Sequence, residues 1–371
     1  MKITRLETFF VAPRWLFLKM HTDEGLVGLG EPILEGRAQT VAAAVQEIGR
    51  SLIGQDPRLI EHHWQAIYRG PFYRGGPILT SALSGIEQAM WDITGKWLGQ
   101  PVYRLLGGPT RTRVRLYGHC GDDPKTAPAQ AKAAVAQGFT AVKTALPRAP
   151  IQTVDTLAYV QLAESHFAAI RQAVGPGVDI AIDFHGRSSP AMSIRLAKAL
   201  EPYYPMFIEE PVLPENVDEL ARVARSTSIP IATGERLFTK WAFREVLEKG
   251  AAAVLQPDVS HAGGILECKK IAAMAECSFA AVAPHCPLGP IALAACLQLD
   301  ACIPNFLIQE FASLGEGYLK KPFVLVDGSL TVPEGPGLGC ELDEEAVAAR
   351  VDDGAWETPQ LRHEDGSVGD W

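Results

Sequence analysis

The chain has 371 residues, 47% of them hydrophobic and 21% charged, with a formal net charge of −9. That length accommodates one large barrel plus a smaller accessory domain, and the composition is that of an ordinary globular protein. The acidic balance argues against a nucleic-acid polymer as partner, because binding phosphate backbones needs concentrated Lys and Arg, and points instead to a small molecule.

Residues 1–8 are interrupted by charge too often for a signal peptide, and no later apolar run reaches the length that spans a bilayer. A cytoplasmic protein without membrane contact is expected. Residues 15–21 and 26–30 flank the turn signal TDEG at 22–25, which predicts an antiparallel hairpin. Two amphipathic helices follow. Val41, Val45, Ile48 and Leu52 keep one helical face, and Leu83, Ile86, Met90 and Ile93 keep another, with a cap near Thr80 or Ser81 and a stop at Gly99.

From Val114 the pattern changes to short apolar runs separated by amphipathic stretches. Strands are predicted at 114–118, 140–144, 178–183, 206–209, 230–234, 252–256, 280–284 and 306–310, and eight strands alternating with helices imply a (β/α) barrel. After Glu310 the alternation stops. Residues 322–326 and 335–339 read as strand and turn, in a tail that returns to the first domain. The expected division is an α+β capping domain at 1–112, the barrel at 113–321 and a returning segment at 322–371.

Three acids end successive apolar runs: Asp183, Glu209 and Glu235, each 26 residues after the last. That interval is one βα unit. Carboxylates at the C-terminal ends of adjacent parallel strands converge at the mouth of a barrel, where all-oxygen ligands suit a hard divalent ion such as Mg²⁺. Alone, each acid reads equally well as a solvated loop carboxylate or a surface ion pair; the shared position and spacing favour a site. Glu209 is followed by Glu210, and either could be the ligand, though only one can point into the barrel.

His185, two residues beyond Asp183, shares its face on an extended chain. Asp258 and His285 end two further strands 27 residues apart, again one βα step. An aspartate that accepts from one ring nitrogen fixes the tautomer and makes the other nitrogen more basic, which is how a general base is made. The bland alternative is that Asp258 caps the turn after it. Glu310, on the last strand, could serve as an acid or hydrogen-bond donor, or face water as an edge carboxylate. The Gly263-Gly264 pair before a helix is compatible with anion binding. Cys286 beside His285 is not read as a nucleophile, because adjacent residues on an extended chain point to opposite faces. The seven cysteines form no C-x-x-C pair, so neither a disulfide framework nor a zinc ribbon is indicated.

On these residues the chain resembles the enolase superfamily, in its mandelate racemase-like branch. The segments at 13–19, 72–79, 183–187 (DFHGR), 256–264 (QPDVSHAGG), 283–290 (APHCPLGP) and 362–368 further resemble the D-galactonate dehydratase group. The resemblance implies a (β/α)7β barrel with an α+β cap and Mg²⁺ held by Asp183, Glu209 and Glu235. It implies His285, with Asp258 behind it, as the base at C2 of a sugar acid, His185 as the acid at the C3 hydroxyl, and Glu310 as an aid to the enolate. Arg14, Trp15, Tyr73 and Arg74 of the cap are expected to read the remaining hydroxyls, and the chain is expected to form a homo-oligomer.

Two departures qualify the substrate. The branch's racemases carry a second-strand K-x-K whose last lysine is a base, and here Ala145 stands in that place after Lys143. The dehydratase group has Asn there, and residues 146–155 also depart from its pattern. Another aldonic acid, or a racemase or epimerase of the same superfamily, is the alternative reading; a non-catalytic barrel would be expected to have lost these residues.

Overall fold

The computed structural model describes residues 1–148, 150–152 and 154–371. Part of the departing loop at 146–155 therefore lies outside the described residues. The first unit is a three-stranded antiparallel sheet, β1 (Ile3–Val11), β2 (Trp15–Thr22) and β3 (Val27–Gly30), backed by α1 (Ala38–Leu52), α2 (Ile60–Arg69) and α3 (Pro77–Leu98). The hairpin falls where the turn signal put it. Helix α3 can lie flat on β3 because the strand offers glycine: a Cβ at Gly28 would come within 2.1 Å of the Ala89 carbonyl oxygen. Leu83, Ile86, Met90 and Ile93 are buried along its face, and it ends at Gly99, whose φ of 66° is left-handed. It begins earlier than expected, with Pro77 in its first turn, so Thr80 and Ser81 are buried helix residues and not caps.

After α4 (Val102–Leu105), β4 (Arg113–Arg115) lies outside the barrel. It pairs antiparallel with β12 (Ser329–Thr331), so the first predicted strand starts too early. The barrel proper runs β5 (Gly118–His119), α5 (Ala127–Ala136), β6 (Ala141–Ala145), α6 (Leu157–Val174), β7 (Asp179–Asp183), α7 (Pro190–Leu200) and β8 (Ile208–Glu209). It continues through α8 (Val217–Ala224), β9 (Ile231–Thr233), α9 (Thr239–Glu248), β10 (Val254–Leu255), α10 (Ile265–Cys277), β11 (Ala281–Val282) and α11 (Pro290–Cys302). Strands β5 to β11 form one parallel sheet in sequence order. Residues 306–309 close it, with parallel bridges from Phe306 to Val282 and from Gln309 to Leu116. Seven βα units and a final strand make a (β/α)7β barrel.

One residue from each of the eight segments fills the interior: Tyr117, Ala141, Ala181, Phe207, Ala232, Val254, Ala283 and Ile308. Small and large side chains alternate irregularly to fill that floor. Period-two geometry places the residues two positions further along these segments in the next layer towards the C-terminal mouth. Those include Lys143, Asp183, Glu209, His285 and Glu310.

The run at 322–326 forms no strand beyond a bridge from Val326 to Ser329, and Val324 and Val326 are exposed. The chain then returns through α12 (Glu344–Ala348) to the first sheet, where Ala12 N–H donates to the Arg350 carbonyl and Asp352 N–H to that of Phe10. A small hairpin, β13 (Leu361–Arg362) and β14 (Val368–Gly369), ends it. Among the described residues no helix is long and apolar enough to cross a membrane.

Candidate metal centre and acid-base site

Asp183 and Glu209 end β7 and β8, and Glu235 follows β9 after Gly234, where a Cβ would come within 2.6 Å of the Gln256 backbone. One oxygen from each of the three acids lies within 4.8 Å of the others, an all-oxygen donor set that fits a divalent metal. Burial raises the Asp183 carboxyl to about 7; it also raises that of Glu209, with the Asp183 charge adding to it. Carboxylates made reluctant to ionise by burial and by each other are what a cation stabilises.

Glu209 and Glu210 part company at the strand end. Glu209 faces the cluster. Glu210, with φ of 44°, turns the other way, where Arg236 Nε donates to its carboxylate at 2.9 Å. The repulsion between neighbouring acids is thus relieved by giving each its own cation, Lys143 for one and Arg236 for the other. Lys143 Nζ stands 3.0 Å from both oxygens of Glu209, 2.7 Å from Glu310 Oε1 and 3.9 Å from Asp183 Oδ2.

The Asp258–His285 pair forms as expected: Nδ1 of His285 lies 2.8 Å from Asp258 Oδ2. The other oxygen of Asp258 accepts from the Ser260 N–H at 2.7 Å, so the turn-capping role and the dyad role coexist. His285 Nε2 is 3.0 Å from Glu235 Oε2 and 3.8 Å from Glu310 Oε2. Burial works against a charged ring, yet the Glu235 and Glu310 carboxylates and the bond to Asp258 hold His285 well above the ordinary histidine range. Burial likewise works against the Glu235 and Glu310 carboxylates; the His285 charge brings Glu235 down, while Lys143 and His285 bring Glu310 down.

His185 stands at the other side of the three acids. Its Nε2 is 3.2 Å from Asp183 Oδ2 while its own N–H donates to Asp183 Oδ1 at 2.7 Å. It reaches that position by a left-handed turn, φ 53°, and not by continuing the strand. Burial lowers its pKa. Lys143, Asp183, His185, Glu235, Arg236, His285 and Glu310 line one cavity of about 520 Å³ at the barrel mouth.

Arg14, Glu35 and His261 contribute to the wall of that cavity from the cap and the β10–α10 loop. Trp15 does not; it is buried against Tyr318 and Phe17. Tyr73 and Arg74 also lie elsewhere, at the edge of a separate small pocket with Ile67, Tyr68 and Leu79. Nor does the Gly263-Gly264 turn offer an anion site: the N–H groups of Ile265 and Leu266 are taken by the Glu87 carboxylate of α3. Cys286 is buried, and its N–H donates to Glu310 Oε2.

Sequence reasoning missed Lys143, His119 and His261 as site residues. In the sequence Lys143 reads only as the start of a broken K-x-K; its place two residues beyond Ala141 is the available signal. His119 Nε2 is 3.6 Å from Glu310 Oε1, and His261 Nε2 is 3.7 Å from both Asp258 and Glu35.

Comparison with known proteins agrees with this architecture. Residues 8–107 match the mandelate racemase/muconate lactonizing enzyme N-terminal domain, and residues 126–346 match the enolase C-terminal domain-like family. Curated relatives named D-galactonate dehydratase are 51% identical in Ralstonia nicotianae and 50% in Cronobacter sakazakii, each alignment covering 100% of both chains. The crystal structure of a mandelate racemase/muconate lactonizing enzyme-like protein from Roseovarius superposes with a TM-score of 0.91 at 36% identity, over 99% of each chain. An enolase superfamily member from Salmonella Typhimurium superposes with a TM-score of 0.89 at 34% identity, over 94% of this chain and 97% of that one. The chain belongs to the enolase superfamily, in the family of mandelate racemase and muconate lactonizing enzyme.

Proposed function

We propose that the chain is a Mg²⁺-dependent hydro-lyase that converts a sugar acid, D-galactonate before others, to 2-dehydro-3-deoxy-D-galactonate. The observation that carries this reading is the pair His185 and His285, which line one cavity while touching two different carboxylates of a three-acid cluster. The names of the relatives at about half identity over their whole length support the substrate.

In this reading Asp183, Glu209 and Glu235 would hold Mg²⁺, whose positive charge would offset the negative charge that builds as the C2 proton leaves. His285 Nε2 takes that proton, its ring held and made basic through Nδ1 by Asp258. With the charge of Glu235 committed to a cation, less of the pull that keeps the ring protonated remains. The C–H electron pair forms the C1–C2 enediolate, which then pushes out the C3 hydroxyl as His185 delivers a proton to it. Water leaves, and the enol ketonises, C3 gaining a proton as the C2 hydroxyl gives one up, to the 2-keto-3-deoxy acid. Lys143, 2.7 Å from Glu310, keeps its ammonium charge near the forming enolate, with the Glu310 carboxylate holding it in place. Acid and base steps of this kind each contribute roughly 10² to 10⁴ in rate.

The same reading divides the chain at 112/113 and 321/322 and places it in the cytoplasm, with seven free cysteines in keeping. A homo-oligomer belongs to it as well, for which exposed Phe72 and Tyr73 offer apolar contact. The test is a panel of aldonic acids with Mg²⁺, read by keto-acid formation. A hydroxy acid racemised without loss of water would overturn the dehydratase reading while leaving the metal site in place.

A further inference from the structure

The last residue of the chain, Trp371, forms part of the cavity wall and lays its indole over His185, with ring centroids 6.4 Å apart and planes 21° from parallel. Its tail is tied down at several points. The guanidinium of Arg14, itself in the cavity wall, sits 4.9 Å from the Trp356 ring centroid. Thr358 lines the same cavity, and Gln152 Nε2 lies 3.0 Å from His363 Nδ1. Gln152 belongs to the loop that departs from the pattern of the dehydratase group.

His185 needs such a contact. It projects from a left-handed turn beyond the end of β7, and its side chain is 39% exposed. Asp183 fixes one edge of the imidazole; a ring held at one edge still pivots about its terminal torsion, which is intrinsically broad. A flat indole against its face removes that freedom and keeps water from one side. The same indole gives a substrate an apolar wall, against which the C–H face of a polyhydroxylated chain can pack. In the dehydratase reading His185 acts at C3, so an indole stacked on it lies towards the carbons beyond C2.

We propose that the C-terminal tail completes the substrate site, with Trp371 positioning His185 for delivery of its proton at C3 and selecting among sugar acids by their distal carbons. This rests on the dehydratase reading. It assigns catalytic timing and substrate selection to a segment outside the barrel, anchored by the cap and by the loop after β6.

The test uses the full-length protein with Mg²⁺ and D-galactonate in deuterated water, comparing the parent with Trp371→Ala and Trp371→Phe. Two readouts are taken: kcat/KM for keto-acid formation, and deuterium at C2 of recovered substrate. Trp371→Ala should lower kcat/KM about tenfold, the weight of one aromatic contact. It should also raise the ratio of C2 exchange to dehydration, because the indole stacks on His185, whereas His285 is held by Asp258 and Glu235. Trp371→Phe should regain most of the loss, and the alanine variant should discriminate less between five- and six-carbon aldonates. An unchanged ratio, or exchange and dehydration falling together with melting temperature, overturns the role of the tail. If the parent dehydrates no aldonate, the dehydratase reading fails first and takes this inference with it.

Discussion

The ammonium of Lys143 lies 3.0 Å from both carboxylate oxygens of Glu209, deep in the barrel and buried with it. Burial alone would strip a lysine of its proton, but the charges of Glu209 and Glu310 outweigh it and hold the pKa well above the ordinary value. Removing this cation leaves buried carboxylates uncompensated. Lys143→Met is expected to cost about 3 to 5 kcal/mol in urea unfolding measured in EDTA, with part of the loss recovered on adding Mg²⁺. Equal stability of variant and parent in EDTA would show that Lys143 does not balance the cluster.

The three acids should be separable from the fold. Asp183→Asn, Glu209→Gln and Glu235→Gln each remove one oxygen donor from a set within 4.8 Å, so each should abolish divalent-ion binding and keto-acid formation. Far-UV circular dichroism should stay that of the parent, since the apolar barrel floor does not depend on them. Calorimetric titration with Mg²⁺ or Mn²⁺ checks this, and undiminished affinity in any of the three would remove that residue from the ligand set.

The two histidines should divide the reaction. His285→Asn is expected to stop exchange of the substrate C2 proton with deuterated solvent, while His185→Asn stops dehydration and leaves exchange. The reverse pattern would swap acid and base. Asp258→Asn should slow the reaction less than loss of His285, by presenting the wrong tautomer and a less basic ring.

Stability should carry a signature of Glu87, which α3 places at the start of α10. Burial pushes its carboxyl up to about 7 from 4.5, against the hydrogen bonds from Leu266 and Ile265. Between those values the folded chain holds a proton that the unfolded chain has released, so this contribution is complete below the unfolded value and is lost as pH rises through the folded one. Melting temperature followed from about pH 5 to about pH 8 should therefore fall less steeply in Glu87→Gln than in the parent. Parallel slopes would remove Glu87 from that dependence.

What could be read in advance followed from two regularities. The 26-residue interval placed Asp183, Glu209 and Glu235 together because a βα unit has a characteristic length. The 27-residue interval from Asp258 to His285 then brought that pair together, across the parallel bridge between them. The rest depended on contacts between distant segments. Glu209 and Glu210 are indistinguishable locally, and it is Arg236, on another loop, that draws Glu210 away. Val114 and Leu116 alternate as a barrel strand would, but the partner of β4 is β12 and not a barrel strand. Which cap loop faces the barrel is likewise a matter of docking, which is why Arg14 reaches the cavity and Tyr73 does not.

Ala145 stands where the sequence reading expects the dehydratase group to carry Asn, which makes it a candidate specificity position. It lines the cavity opposite Asp183 in the register of β6 and β7. A hydroxyl left without its buried partner costs about 1 to 3 kcal/mol, enough to change the preferred sugar acid. Ala145→Asn should shift the ranking of aldonates in a competition assay towards D-galactonate. An unchanged ranking would mean that this position does not read the substrate.

The most direct measurement is product analysis after incubating the purified protein with D-galactonate, with Mg²⁺ and again after EDTA treatment. The account predicts a 2-keto-3-deoxy acid with the metal and none without it. Full activity after EDTA treatment, or unaltered D-galactonate beside a racemised hydroxy acid, would contradict it.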